Sequence, residues 1–162
     1  MLTDWDFIKQ NKPLVAKTVE LSMQMSMGKL TGQIWDTTFS DHWRTVITTV
    51  QLNQQEIFSG VITEPLKLTW LFEDTKDLQA HQLTVTVQGL DQLAEKNVMI
   101  SMTDFTIENL PLSKVIECTG TYLDSTQHIN IAGEFMGKDG QTTIPFSTPI
   151  YRWLFENQKY FV

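Results

Sequence analysis

Along residues 19–27, Val19, Leu21, Met23, Met25 and Met27 alternate with Glu20, Ser22, Gln24 and Ser26. A period of two puts the five apolar side chains on one face of an extended strand; on a helix they would scatter around the cylinder. The same alternation recurs in Val46, Val50 and Leu52, in Leu66, Leu68, Trp70 and Phe72, and in Leu83, Val85 and Val87. Further on, Ile116, Cys118 and Tyr122 share a parity, as do Ile129, Ile131 and Phe135, and then Ile144 and Phe146. Turn residues separate these runs at Gly28-Lys29, Ser40-Asp41, Asn53-Gln54-Gln55, Asp74 to Asp77, Asp124-Ser125 and Lys138-Asp139-Gly140. Asp139-Gly140 reads as a hairpin turn, because both residues tolerate positive φ.

Three segments leave this pattern. Thr3, Asp6, Trp5 and Ile8 have the spacing of a short capped helix at the amino terminus. Leu90, Leu93 and Ala94 predict a single helical turn, and Thr148-Pro149 begins either a helix with Ile150, Trp153 and Leu154 on one side or a last strand. A parity slip between Met102 and Phe105 predicts a bulge or corner.

The fold expected is all-β and antiparallel: a single closed, calycin-like β-barrel or a two-sheet β-sandwich of about nine or ten strands, with the short amino-terminal helix. The barrel is preferred because closure removes exposed edges. At 162 residues the chain has the length of one domain, and residues 1–162 are read as such. Within it, Thr31-Gly32-Gln33-Ile34-Trp35-Asp36-Thr37-Thr38 resembles Thr119-Gly120-Thr121-Tyr122-Leu123-Asp124-Ser125-Thr126. That pattern suggests a weak pseudo-repeat of residues 15–88 and 97–162, or simply a shared local turn.

Charge narrows the functional classes. With 19 acidic against 12 basic residues and a net charge of −7, the chain repels a phosphate backbone. Arg44 and Arg152 are its only arginines, so the bidentate fork used to read bases is scarce. No nucleic-acid partner is expected. No window approaches the roughly 20 apolar residues that cross a bilayer, so no membrane partner is expected either. One cysteine, Cys118, cannot form an intrachain bridge, and the first twenty residues hold no continuous apolar run; a cytoplasmic location is the expectation.

Chemistry is sparse. His42, His81 and His128 are the only neutral-pH bases, and no pair of them has ligand spacing; each reads as a solvated or singly hydrogen-bonded side chain. Cys118 shares the parity of buried neighbours and reads as a small core residue. Glu73, Asp74 and Asp77 lack the loop that folds oxygens around calcium, and Asp104 and Glu108 lie at the predicted corner. Glycine-rich phosphate cradles are absent. No catalytic residue, metal or cofactor is therefore assigned, although an enzyme using His42 or His128 stands as a third reading.

The expected function is non-catalytic binding of a small apolar ligand inside the barrel, lined by Met23, Met25, Met27, Trp70 and Phe72. Core filling is the competing account of the methionines. Trp35, Trp43, Trp70 and Trp153 suit a core, a pocket mouth or an interface equally. The alternative function is a protein-interaction or assembly module acting through exposed strand edges or aromatic patches, and the oligomeric state is open.

Overall fold

In the computed structural model the described residues are 17–75, 77–93, 97–108, 110–112 and 119–157. The amino-terminal helix predicted around Trp5 and Ile8 lies outside them, as does Cys118. Twelve strands are described: β1 (Lys17–Thr31), β2 (Ile34–Asp36), β3 (Ile47–Leu52), β4 (Gln55–Gly60), β5 (Leu66–Asp74), β6 (Gln79–Gln88), β7 (Val98–Ile107), β8 (Leu110–Pro111), β9 (Thr121–Asp124), β10 (Ile129–Ile131), β11 (Phe135–Met136) and β12 (Gly140–Thr148). Two 3-10 turns, Asp41–Thr45 and Leu90–Gln92, and one helix, α1 (Ile150–Glu156), complete the described elements.

The strands form two antiparallel six-stranded sheets. Sheet A is organised on β1, which pairs with β7 on one side and with β5 and then β2 on the other, while β8 and β11 extend β7. Sheet B runs β10-β9-β12-β6-β3-β4. Among the described residues no strand pairs from one sheet to the other, so the expected closed barrel is corrected to a two-sheet sandwich. Sheet A ends on β2 and β5 on one side and on β8 and β11 on the other, and sheet B ends on β10 and β4; β2, β8, β10 and β11 are only two or three residues long, too short to bridge the sheets.

The inward parity of each long strand builds the core between the sheets. Val19, Leu21, Met23, Met25 and Met27 of β1 are all buried, facing Leu83, Val85 and Val87 of β6 and Ile144 and Phe146 of β12 within one apolar cluster. The predicted slip in β7 is a bulge: Ser22 pairs with Thr106 but Gln24 with Thr103, and Asp104 takes φ 52°.

One end of the sandwich is closed by rings. Phe72 of β5 meets Phe146 of β12 edge-on with the ring centroids 5.4 Å apart, and His81 stacks on Phe146 at 5.2 Å. Trp153 of α1 covers Phe146 at 6.1 Å. Ile150, Trp153 and Leu154 are the buried side of α1, as their spacing predicts, and the buried Asp74 carboxylate of β5 accepts the Ile150 N–H at 2.9 Å.

Asp139-Gly140 is not a hairpin turn. It carries the chain from β11 in sheet A to β12 in sheet B, and Asp139 Oδ1 accepts the amides of Leu90 and Asp91 at 2.7 and 3.3 Å. The two copies of the Thr-Gly pattern also sit differently: Thr31-Gly32 turns β1 into β2, whereas Thr119-Gly120 leads into β9 of sheet B.

Candidate functional site

The side chains that β3, β6 and β12 turn away from the core form the outer face of sheet B. Gln51 of β3 stands opposite Thr84 of β6, and Gln141 of β12 stands opposite Thr86, to which its Nε2 donates at 3.0 Å. Gln82 lies two residues before Thr84 on the same side of β6. At that end the β3–β4 turn rises beside β6 and completes an open cleft of about 520 Å³, bordered also by Asn53, Gln54, Ala80 and His81.

The turn is well specified locally. Leu52 pairs with Gln55, leaving Asn53 and Gln54 as a two-residue loop at φ 51° and 71°. Positive φ at both central positions matches the right-handed twist of a hairpin, and asparagine adopts it readily. Asn53 then docks on β6 twice: its N–H donates to Gln82 O at 2.9 Å, and its Oδ1 accepts the Gln82 N–H at 2.9 Å.

That second bond fixes the amide, because a backbone N–H can only donate and therefore faces the oxygen. Asn53 Nδ2 is thus the atom that meets His81 Nδ1 at 2.8 Å, and it donates. His81 Nδ1 must accept, so the neutral ring carries its proton on Nε2, which faces Thr148 Oγ1 at 3.3 Å. Burial in the ring cluster pushes the His81 pKa below its ordinary value, with the negative charge of Asp74 partly opposing the shift.

Among the described residues the lining is amide, hydroxyl, methyl and neutral imidazole, with no carboxylate, ammonium or guanidinium. Each glutamine offers two donors and an acceptor, so the cleft can match alternating hydroxyl donors and acceptors without a net charge.

None of the five residues expected to line a ligand cavity borders this cleft. Met23, Met25, Met27 and Trp70 are buried in the core cluster, and Phe72 packs beside them against His81 and Phe146. Trp43 and Trp153 are buried as well. Trp35 lies across Gly28 on the outer side of sheet A, where a Cβ on Gly28 would come within 2.8 Å of the indole; its Nε1 donates to Ser26 Oγ, and Phe135 meets it edge-on at 5.2 Å.

His42 is exposed in the first 3-10 turn. His128 donates from Nδ1 to Thr126 Oγ1 at 2.8 Å, because that hydroxyl gives its own proton to Asp124 Oδ1. The Thr126 hydroxyl, with Asn130 and backbone amides, holds the Asp124 carboxyl down to about 2. Glu73 and Asp74 diverge, one exposed and one buried, and among the described residues no group of three His, Cys, Asp or Glu could hold a metal. Among them, too, no helix is long and apolar enough to cross a membrane.

No protein-family model and no curated protein matches the chain. Among solved structures it is similar to vCBM60 in complex with galactobiose, at a TM-score of 0.41 and 7% identity over 77% of this chain and 96% of that one. It is also similar to a C2 domain-containing protein, at a TM-score of 0.28 and 11% identity over 80% and 88%. At such scores neither likeness says what the cleft takes.

Proposed function

We propose that the chain is a non-catalytic binding module whose cleft on the outer face of sheet B takes a neutral, polyhydroxylated ligand, a saccharide being the natural class. The observation that carries this reading is the uncharged lining of amides and hydroxyls supplied by three adjacent strands and one turn. The burial of Met23, Met25 and Met27 in the core cluster supports a ligand site on the outer face over one between the sheets.

Affinity should be low. Four hydrogen bonds at about 1 kcal/mol net each correspond to a Kd of about 1 mM. Titration of ¹⁵N-labelled protein with neutral disaccharides should shift the amide signals of Gln51, Gln82, Thr84 and Gln141 together, and Gln82→Ala should weaken binding about 5-fold. Signals that stay still up to tens of millimolar of every neutral saccharide tried would sink the reading.

A second reading, assembly through a second copy, rests on β10. This edge strand of sheet B presents Ile129 and Ile131 at 75% and 74% exposure, beside Leu123 at 44% on β9. Unpaired strand edges with apolar, uncharged side chains recruit other strands, and lysine is the residue that usually prevents it. Light scattering should give a mass that rises with concentration and falls to that of the monomer in Ile131→Lys; a monomer at all concentrations would defeat it.

A further inference from the structure

We infer that the cleft is gated by protonation of His81, which releases the turn that forms one of its walls. This deepens the saccharide reading and rests on it for its functional meaning, but the latch itself is a property of the unliganded protein.

The geometry closes on one answer. With a neutral ring, Nδ1 accepts from Asn53 Nδ2 while Asn53 Oδ1 accepts from the Gln82 N–H. A protonated ring is a donor at both nitrogens. Nδ1–H would then face the Asn53 NH₂ group across 2.8 Å, donor against donor. Rotating the amide to present Oδ1 to the ring restores that bond but turns Nδ2 toward the Gln82 N–H, which has nothing to donate to. Either way the turn loses a side-chain anchor to β6 and is left with the Asn53 N–H to Gln82 O bond, which loosens Asn53 and Gln54, both held at positive φ.

The surroundings of the ring make the neutral state the resident one. Phe146 stacks on one face of the ring and Phe72 lies tilted beside it, β12 brings Thr148 and no charged side chain, and the turn brings only amides. Among the described residues Asp74 of β5 is the charged group acting on it, and Asp77 reaches the site through its backbone oxygen, which accepts from Thr148 Oγ1. Burial lowers the folded-state pKa of His81 beneath 6.5. The turn's anchor is therefore fully present above pH about 6.5 and is lost as the pH falls through the lower, folded value.

The test is a pH titration of the unliganded protein by ¹⁵N NMR from pH 8 to 4.5, observing the His81 ring, the Asn53 side-chain amide and the Gln82 backbone amide. The three should move with one midpoint below 6.5, and exchange of the Gln82 amide, corrected for the intrinsic rate, should speed at least 10-fold at the acid end. In His81→Gln, whose side-chain oxygen can still accept from Asn53, the Asn53 and Gln82 signals should lose that transition. A ring that titrates while Asn53 and Gln82 stay fixed overturns the latch, as does a transition that persists in His81→Gln. Disaccharide-induced shifts should disappear over the same interval; their absence at every pH would defeat the saccharide reading, while the unliganded titration still decides the latch.

Discussion

Gly89→Ala should destabilise the protein by on the order of 3 kcal/mol or more, lowering its melting temperature by about 6–12 °C. Gly89 takes φ 102° where β6 ends and the second 3-10 turn begins. A Cβ there would stand 2.3 Å from Thr45 O and 2.9 Å from Thr45 C. Those are backbone atoms just ahead of β3, the strand that pairs with β6, so no side-chain rotation can make room. Relief would require separating two neighbouring strands of sheet B at their shared end. It would also drag the turn whose Leu90 amide is held by Asp139, disturbing the corner between the sheets. Gly32→Ala is the control, since φ 62° carries the left-handed cost of about 1 kcal/mol but nothing lies within 4 Å of the added carbon. Urea or thermal denaturation of both variants should separate them clearly; equal losses would mean that the close approach to Thr45 contributes nothing.

Alternation told which residues share a face, and where a strand is long and central it also told which face is inward. β1 is the clearest case, with its whole apolar parity buried between β5 and β7. The bulge in β7 and the buried side of α1 were legible for the same reason, since each is a local change of period. Edges were not legible. Ile129 and Ile131 share a parity as read, but they point outward, because among the described residues their strand pairs with β9 alone and nothing covers its apolar side. Asp139-Gly140 has the residues of a hairpin, yet its carboxylate is recruited by amides 48 and 49 residues away, which a local rule cannot see. The cleft was hidden similarly. Gln51, Gln82 and Gln141 come from three strands and meet only through sheet register, and nothing in their spacing announces it. His81 reads alone as a histidine at a strand start; its significance comes from Asn53, 28 residues earlier, and Thr148, 67 residues later.

Met25→Gln should cost about 3–5 kcal/mol, and its neighbour Gln24→Met should change stability by no more than about 0.5 kcal/mol. The two substitutions exchange the same pair of residue types one position apart, and the pleat sends them to opposite faces of sheet A. Met25 is 2% exposed, paired with Leu66 on β5 and Met102 on β7. Glutamine there forfeits the burial of an apolar side chain, roughly 1.5–3 kcal/mol, and leaves an amide without partners, roughly another 1–3 kcal/mol. Met25→Leu keeps shape and polarity near enough to cost less than about 1.5 kcal/mol. Equilibrium urea unfolding with the slope held constant gives the comparison directly. If the methionine face instead lined a ligand space, Met25→Gln would leave the unliganded protein nearly as stable as before and would weaken saturable binding of a hydrophobic dye. A large loss of stability with no native-state dye binding to lose is the expected result, and it separates a strand whose sulfurs fill the sandwich from one that holds a guest.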